Sequence, residues 1–295
     1  MTYETSLVVP HWRGARKGPS LCYNGAVREP ISKRRKPPIS QLPGDFIYGI
    51  NPLTEALGVR AVKRVFLSSA KSERLAHLKS LAEAQGISVE LLEGAPWYHA
   101  LEGMAHQGVA GITRVFRGEL LADVIAKLPA EAAMLLLDGV NDPQNLGAAI
   151  RSAAAAGAPV ILPKFGVAPV NCTVHKASAG MTYRTPIIFG ENLAQAVDSL
   201  KDKGFWVASL DAHGGDSMFT FEFPKRMAFV IGSEDRGVRR LLREKSDYVL
   251  NIPMQAQVES LNLGVSAALS LFFFRAYWAR QAKPQGLPPQ AQAGQ

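Results

Sequence analysis

The segment LLLDGVNDPQNLGAAIRSA, residues 135–153, carries the strongest structural signal in this chain. Its apolar start is typical of a buried strand, and Asp138-Gly139 predicts a turn. Asn145 follows as the expected N-cap of a helix. The apolar face of that helix would comprise Leu146, Ala149, Ile150 and Ala153. Arg151 would point away from this face, either as a solvated side chain or as a functional one.

Strands and helices alternate in the sequence around this segment. Strands are predicted near residues 133–138, 159–163, 186–189, 205–210, 227–232 and 248–253. Helices are predicted near residues 145–156, 192–203, 238–245 and 260–281. This alternation predicts an α/β fold with a mostly parallel sheet covered by helices. A smaller α/β pattern occupies residues 46–115, where Asn51 and Pro52 are expected to begin the first helix.

These patterns divide the 295 residues into five parts. They are a basic, proline-rich flexible arm (1–44), a small α/β domain (45–116), a linker (117–130), a larger α/β domain (131–282) and a disordered tail (283–295). Of the formal net charge of +8, the arm alone carries +6. Such an arm suits two roles, contact with RNA phosphates or simple solubilisation.

The composition excludes several classes of protein. Cys22 and Cys172 cannot form a disulfide framework, and the six histidines show no metal-binding spacing, so no metal is expected. The longest apolar stretch, residues 261–274, is shorter than the roughly 20 residues that a membrane span needs. The amino terminus has no secretory or transit layout. We therefore expect a soluble, cytoplasmic protein with neither a membrane nor DNA as a partner.

Two further polar, glycine-rich loops follow predicted strands. The first is MAFVIGSEDRGVRR, residues 227–240, in which Gly232 would allow a ligand to approach the backbone closely. The second is NIPMQAQVESLNLGVSAALS, residues 251–270, in which Ser260 is the expected N-cap of the last helix. Ligands of parallel α/β sheets bind beyond the carboxyl ends of the strands, so all three loops are candidate site loops.

Together and in this order, the three loops resemble the three motifs of the SpoU (TrmH) family of the SPOUT superfamily. The first motif is matched by Asp138-Gly139, Asp142-Pro143, Asn145-Leu146-Gly147 and Arg151. The second is matched by Ile231-Gly232-Ser233-Glu234 and Gly237, and the third by Ile252-Pro253-Met254 and Ser260-Leu261-Asn262. Residues 46–115 resemble the small RNA-binding domain of the subgroup that acts on 23S rRNA, through FIYGINP (46–52), KRV (63–65) and HQGV (106–109).

This resemblance implies an RNA ribose 2′-O-methyltransferase that uses S-adenosylmethionine, most closely one acting on a guanosine of 23S rRNA. It also implies a trefoil knot at the carboxyl end, and a homodimer whose active site lies near the subunit interface. The catalytic set would be Arg151, Asn145, Glu234, Ser260 and Asn262. The cofactor would contact Gly232, Ile252, Met254 and Leu261.

Arg151 has the central role in this interpretation. The family proposal makes it a general base, but a guanidinium with a pKa above about 12 is better suited to binding a phosphate and stabilising a developing alkoxide. Asn145 is expected to orient Arg151 or the ribose, and Glu234 to anchor its own loop and Arg151. Ser260 and Asn262 are expected to shape the pocket for the cofactor and the ribose.

Two alternative functions stay open, methylation of tRNA and a non-catalytic RNA-binding or ribosome-assembly role on the same fold. The presence of all five catalytic candidates favours an enzyme.

Three positions depart from the family pattern, since Asp235 and Ala256 stand where glycine is usual and Tyr183 where an acidic residue is usual. The aromatic residues of the last helix favour packing or a subunit contact over a nucleobase platform.

Overall fold

The computed structural model of the chain describes Leu42 and residues 45–212, 214–255 and 258–282. The predicted arm (apart from Leu42), the predicted tail and Ala256 lie outside these residues. The strands of the described residues form two sheets, a small one near the amino terminus and a large one that follows it.

The small sheet contains four strands. They are β1 (Phe46–Tyr48), β2 (Val62–Leu67), β3 (Ser88–Leu91) and β4 (Val109–Thr113), in the order β1-β4-β2-β3. Strand β4 is antiparallel to β1 and β2, whereas β2 and β3 are parallel and are joined by a crossover helix. The helices of this part are α1 (Ile50–Gly58) and α2 (Glu73–Glu83), with 3₁₀ turns at Leu92–Gly94 and Tyr98–Leu101. Apolar residues of β1, α1, β2 and α2 bury one another between the sheet and its helices.

Helix α1 begins differently from the sequence prediction. Its N-cap is Gly49, at φ 95°, so Asn51 lies within the first turn and does not cap the helix. The reason is the side chain of Gln107, whose Oε1 accepts a hydrogen bond from the Ile50 backbone N–H at 3.2 Å. A side chain remote in sequence thus satisfies an N–H group that a local cap would otherwise satisfy.

The large sheet contains seven strands, all parallel to their neighbours. They are β5 (Ala132–Leu137), β6 (Val160–Pro163), β7 (Ile187–Gly190), β8 (Trp206–Leu210), β9 (Asp216–Ser217), β10 (Arg226–Ile231) and β11 (Tyr248–Asn251), in the order β7-β6-β5-β10-β8-β11-β9. The predicted α/β class and mostly parallel sheet are therefore confirmed. Strand β9 was not predicted.

In the described residues, six helices accompany the large sheet. They are α3 (Leu121–Ala126), α4 (Pro143–Ala156), α5 (Cys172–Ala177), α6 (Leu193–Asp202), α7 (Arg240–Lys245) and α8 (Leu263–Gln281). One apolar core lies between one face of the sheet and α4, α5 and α8, and a second core lies between the other face and α3, α6 and α7. Helix α5 was not predicted. No helix in the described ranges combines the length and apolar character needed to cross a membrane.

Helix α5 connects the two sheets. Cys172, at its start, packs in the same apolar cluster as Phe46 and Tyr48 of β1. The Lys176 ammonium donates a hydrogen bond to Gln107 Oε1 at 2.9 Å. Residues of the small sheet thus contact the elements that follow β6 in the large sheet.

Candidate active site

The first candidate loop joins β5 to α4, and its helix is capped one turn earlier than predicted. Asp142 is the N-cap, and its side chain accepts a hydrogen bond from the Gln144 backbone N–H at 3.0 Å. Pro143 occupies the first helical position, where a missing N–H costs nothing. The N-cap predicted at Asn145 is therefore wrong, and the Asn145 side chain is available for contacts outside its own helix.

Asn145, Glu234 and Asn262 form a hydrogen-bonded group, here called the amide–carboxylate cluster. The Asn145 amide donates to Glu234 Oε1 at 3.1 Å, and the Asn262 amide donates to Glu234 Oε1 at 3.2 Å and to Asn145 Oδ1 at 2.9 Å. The Leu263 backbone N–H also donates to Glu234 Oε1 at 3.3 Å. One carboxylate therefore links the loops after β5, β10 and β11.

Asn262 also has a structural role in the third loop. It is the N-cap of α8, and its Oδ1 accepts a hydrogen bond from the Gly264 backbone N–H at 2.9 Å. The N-cap predicted at Ser260 is therefore wrong, because α8 begins at Leu263 and the asparagine next to it supplies the cap. Ser260 instead lines a cavity beside the cluster.

An ion pair between the buried Asp138 and the largely exposed Arg239 joins the first and second loops. The side chain of Asp138, at the carboxyl end of β5, is only 1% exposed and would be costly to bury without a partner. Arg239 donates its Nε–H to Asp138 Oδ1 at 2.7 Å and its backbone N–H to Asp138 Oδ2 at 3.0 Å. Sequence reasoning identified Asp138 but missed Arg239, although a strand-end aspartate in an apolar run signals such a partner.

The second loop is a tight turn around Gly232. The Gly237 backbone N–H donates to Ser233 O at 2.8 Å, and a Cβ at Gly232 would overlap the Gly237 carbonyl. Glycine is therefore required at 232 by the close approach of its own loop. Asp235, which replaces a family glycine, has no left-handed backbone conformation and lies exposed, so this departure leaves the turn unstrained.

A cavity of about 350 Å³ lies between the second and third loops. All four residues predicted to contact a cofactor line it, namely Gly232, Ile252, Met254 and Leu261. Asp211, just after β8, and Arg243 of α7 line it as well and form an ion pair at 2.7 Å. This pair was not predicted, because nothing in the sequence indicates that the loop after β8 meets the loops after β10 and β11.

Arg151 stands apart from this cavity. It is exposed on α4, and its side chain makes no hydrogen bond or ion pair with any residue that the structure describes. The expected contacts of Arg151 with Asn145 and Glu234 are thus absent. Six residues of helix place Arg151 and Asn145 about 9 Å apart along the axis and about 120° apart around it, so their side chains leave α4 in different directions.

Helix α4, which carries Arg151, packs against α8, and α8 has exposed apolar side chains. Helices α4 and α8 pack closely, since a Cβ at Gly264 would lie 2.8 Å from the Ala148 Cβ. The Arg275 guanidinium, on the same helix, donates to Ala155 O at 3.0 Å. Val265 and Phe272 of α8 each remain 45% exposed. Arg151 therefore lies on a helix pair with an incompletely covered apolar face.

Comparison with known proteins gives two family matches. Residues 132–272 match the SpoU rRNA Methylase family, and residues 46–117 match the RNA 2′-O ribose methyltransferase substrate-binding family. The chain is 34% identical over 249 residues to the 23S rRNA (guanosine-2′-O-)-methyltransferase RlmB of Nitrosomonas europaea, covering 82% of this chain and 96% of that protein. It is 37% identical over 238 residues to RlmB of Escherichia coli K12, covering 77% and 96%.

Solved structures share the fold at lower sequence identity. The SpoU methyltransferase AviRb from Streptomyces viridochromogenes, in complex with AdoMet, superposes with a TM-score of 0.68 at 22% identity and covers 81% of this chain and 91% of its own. An AdoMet-bound rRNA methyltransferase from Sinorhizobium meliloti gives 0.67 at 22% identity, covering 81% and 89%. By its sequence relatives and its family matches, this chain belongs to the SpoU rRNA methylase family.

Proposed function

We propose that this protein transfers a methyl group from S-adenosylmethionine to the ribose 2′-hydroxyl of a guanosine in 23S rRNA. The observation that carries this proposal is the amide–carboxylate cluster, which joins the loops after β5, β10 and β11 beside a cavity lined by the loops after β8, β10 and β11. The named activity of the RlmB relatives, which this chain matches over nearly their full length, supports the same substrate.

The cavity is suited to the cofactor. Its volume of about 350 Å³ lies within the usual range for small-molecule sites, roughly 300–1,000 Å³. Gly232 brings backbone groups to its wall, and Ile252, Met254 and Leu261 offer apolar surface for an adenine ring. When bound, S-adenosylmethionine supplies a methyl group already activated by a positively charged sulfur, so the mechanism requires no metal.

Glu234 acts in this proposal as a positioning residue. Its carboxylate holds the amides of Asn145 and Asn262 and the amino end of α8 in one arrangement. Charge-assisted hydrogen bonds of this kind are stronger than neutral ones, so the cluster sets the relative positions of the three loops. Asn145 and Ser260 would then orient the ribose at the cavity, and Asn262 would shape the pocket through its place in the cluster.

Arg151 would reach a site only from another subunit. Arg151 is exposed on α4 and separated from Asn145 along that helix, and Val265 and Phe272 are exposed on the adjoining helix α8. These features support a homodimer in which each site receives Arg151 from the partner. There the guanidinium would bind the phosphate next to the target ribose and stabilise the charge that develops on the 2′-oxygen. Action as a base would require loss of a proton from a group with a pKa above about 12.

Further parts of the proposal rest on the family. The small sheet would bind RNA, as the name of the family that matches residues 46–117 indicates. The division into domains, the trefoil knot and a cytoplasmic location stay predictions. The second candidate substrate to be tested is tRNA.

The test is methyl transfer from radiolabelled S-adenosylmethionine to separate pools of unmodified 23S rRNA and tRNA. We expect label in 23S rRNA, in a dinucleotide that resists alkaline hydrolysis because its 2′-oxygen is methylated. An Arg151→Ala variant should bind the cofactor normally but turn over at least about a hundredfold more slowly. Label only in tRNA would show that tRNA, and not 23S rRNA, is the substrate. Cofactor binding without label in any RNA would favour the non-catalytic alternative.

A further inference from the structure

The loop after β6 displays an aromatic ring that the mechanism does not use. Phe165 is 76% exposed, more than any other large hydrophobic residue in the part of the chain that the structure describes. Burial of a phenylalanine side chain stabilises a fold, so the exposure of Phe165 forgoes stability that packing would provide. The ammonium of Lys164 lies 5.7 Å from the ring centroid and is paired with Glu191 at 2.9 Å.

The backbone on both sides of Phe165 is anchored. The Lys164 N–H donates to Gly190 O at 2.9 Å, and the Ala168 N–H donates to Val140 O at 2.8 Å. Ala168 is buried in the same core as α4, and Asn171 caps α5 at the end of the loop. The ring therefore projects from a loop with fixed ends, and less conformational entropy is lost when a ligand contacts it.

This loop lies between two parts of the proposed RNA path. On one side, Ala168 is bonded to Val140, two residues after Asp138 in the first motif loop. On the other side, the loop leads into Cys172, which packs in the same apolar cluster as Phe46 of the small sheet. Phe165 follows the carboxyl end of β6, the edge of the sheet on which the site loops lie.

We propose that Phe165 stacks on an unpaired nucleobase of the RNA substrate as the strand passes from the small sheet to the amide–carboxylate cluster. This inference rests on the proposed function. Proteins that recognise single-stranded RNA stack its bases on exposed aromatic side chains, and every base offers a flat face for this contact. The neighbouring Lys164 ammonium would lie near the RNA backbone, where its charge is favourable.

The experiment compares Phe165→Ala, Phe165→Leu and Phe165→Trp with the parent chain. Leu120→Ala is the matched control, because Leu120 is 72% exposed. Leu120 lies at the opposite edge of the sheet, next to Glu119, whose backbone N–H donates to Ile187 O at the amino end of β7. Cofactor affinity is measured by calorimetry, RNA affinity by filter binding at two salt concentrations, and turnover by methyl transfer to 23S rRNA.

We expect Phe165→Ala and Phe165→Leu to weaken RNA binding about tenfold at both salt concentrations, because stacking does not depend on released counterions. Leucine keeps apolar volume but has no flat ring, so a loss of RNA affinity in Phe165→Leu separates stacking from general apolar contact. Phe165→Trp should keep the affinity, and its added indole fluorescence should be quenched by RNA beyond the signal of the chain's own four tryptophans. Cofactor affinity and the Leu120→Ala control should match the parent.

An active parent with unchanged RNA affinity in Phe165→Ala would overturn this inference and leave the proposed function intact. A change in the oligomeric state of Phe165→Ala, seen by sedimentation without a change in RNA affinity, would overturn it in favour of a contact with a second copy. A parent that methylates no RNA would instead contradict the proposed function itself.

Discussion

Replacement of Gly232 by alanine would disturb the cofactor cavity while leaving the core of the protein untouched. The new Cβ would overlap backbone atoms of Gly237 and Val238, and the second loop would have to move by about 1 Å to make room. A displacement of this size costs about a hundredfold in the rate of a positioned reaction, equivalent to about 2.7 kcal/mol. Because the far side of the loop is exposed, we expect the free energy of unfolding to change by only about 1 kcal/mol.

The assay for Gly232→Ala measures three quantities on the same preparation. Calorimetry gives the dissociation constant of S-adenosylmethionine, methyl transfer to 23S rRNA gives the turnover number, and urea denaturation gives the free energy of unfolding. Gly94→Ala is the control, since a Cβ at Gly94 would meet no atom within 4 Å and the backbone there has no left-handed conformation. Cofactor affinity and turnover equal to those of the parent would refute the assignment of this cavity to the cofactor.

Further tests concern Arg151, Gly147 and His175. Arg151→Ala and Gly232→Ala should each lose about a hundredfold in turnover when assayed alone. An equal mixture of refolded subunits should recover about a quarter of the parent activity, since half of the dimers would hold one intact site, and no recovery would contradict a shared site. Gly147→Ala should lower the free energy of unfolding by about 2 kcal/mol in urea denaturation, because a Cβ there would overlap Ala177 and lie 3.0 Å from Val174 O. This steric cost outweighs the gain of about 1 kcal/mol in helix propensity, and a stabilised variant would contradict the packing. Burial lowers the pKa of His175 from 6.5 to about 4, so between these pH values the unfolded chain binds a proton that the folded chain does not. The free energy of unfolding should therefore fall by about 2–3 kcal/mol from pH 7.5 to 4.5. His175→Gln should lose that part of the pH dependence, and an unchanged dependence would refute the assignment.

The predicted elements correspond closely to those with strong local signals. The apolar face predicted for α4, comprising Leu146, Ala149, Ile150 and Ala153, is fully buried, and Arg151 points away from it as expected. The six strands predicted for the larger domain each coincide with a strand of the structure to within a few residues. Long apolar runs bounded by glycine or polar turns specify these elements by themselves.

The elements that were missed are short. Strand β9 contains only Asp216–Ser217, which is too short to show alternation, and it forms because it pairs with β11. Helix α5 has six residues, Cys172–Ala177, among them the β-branched Thr173 and Val174, so its periodicity is weak. Its N-cap at Asn171 and its packing against α4 stabilise it.

The N-caps and partners of the site depend on contacts distant in sequence. Asn145 was predicted to cap α4, but Asp142 caps it and Pro143 occupies the first helical position. The Asn145 side chain instead donates a hydrogen bond to Glu234, 89 residues away in sequence. The ion pair of Asp138 with Arg239 spans 101 residues. Residue types and spacing can identify candidates for a site, but which side chains meet depends on the sheet order, in which β10 lies next to β5.

One measurement addresses the proposed activity without any variant. Purified protein is incubated with S-adenosylmethionine and an unmodified 23S rRNA transcript, the RNA is digested to nucleosides, and the products are identified by mass spectrometry. We predict 2′-O-methylguanosine as the one new nucleoside, in an amount that approaches one per transcript. Methylation on a base, or transcripts that stay unmodified while the protein binds both the cofactor and the RNA, would contradict the proposed function.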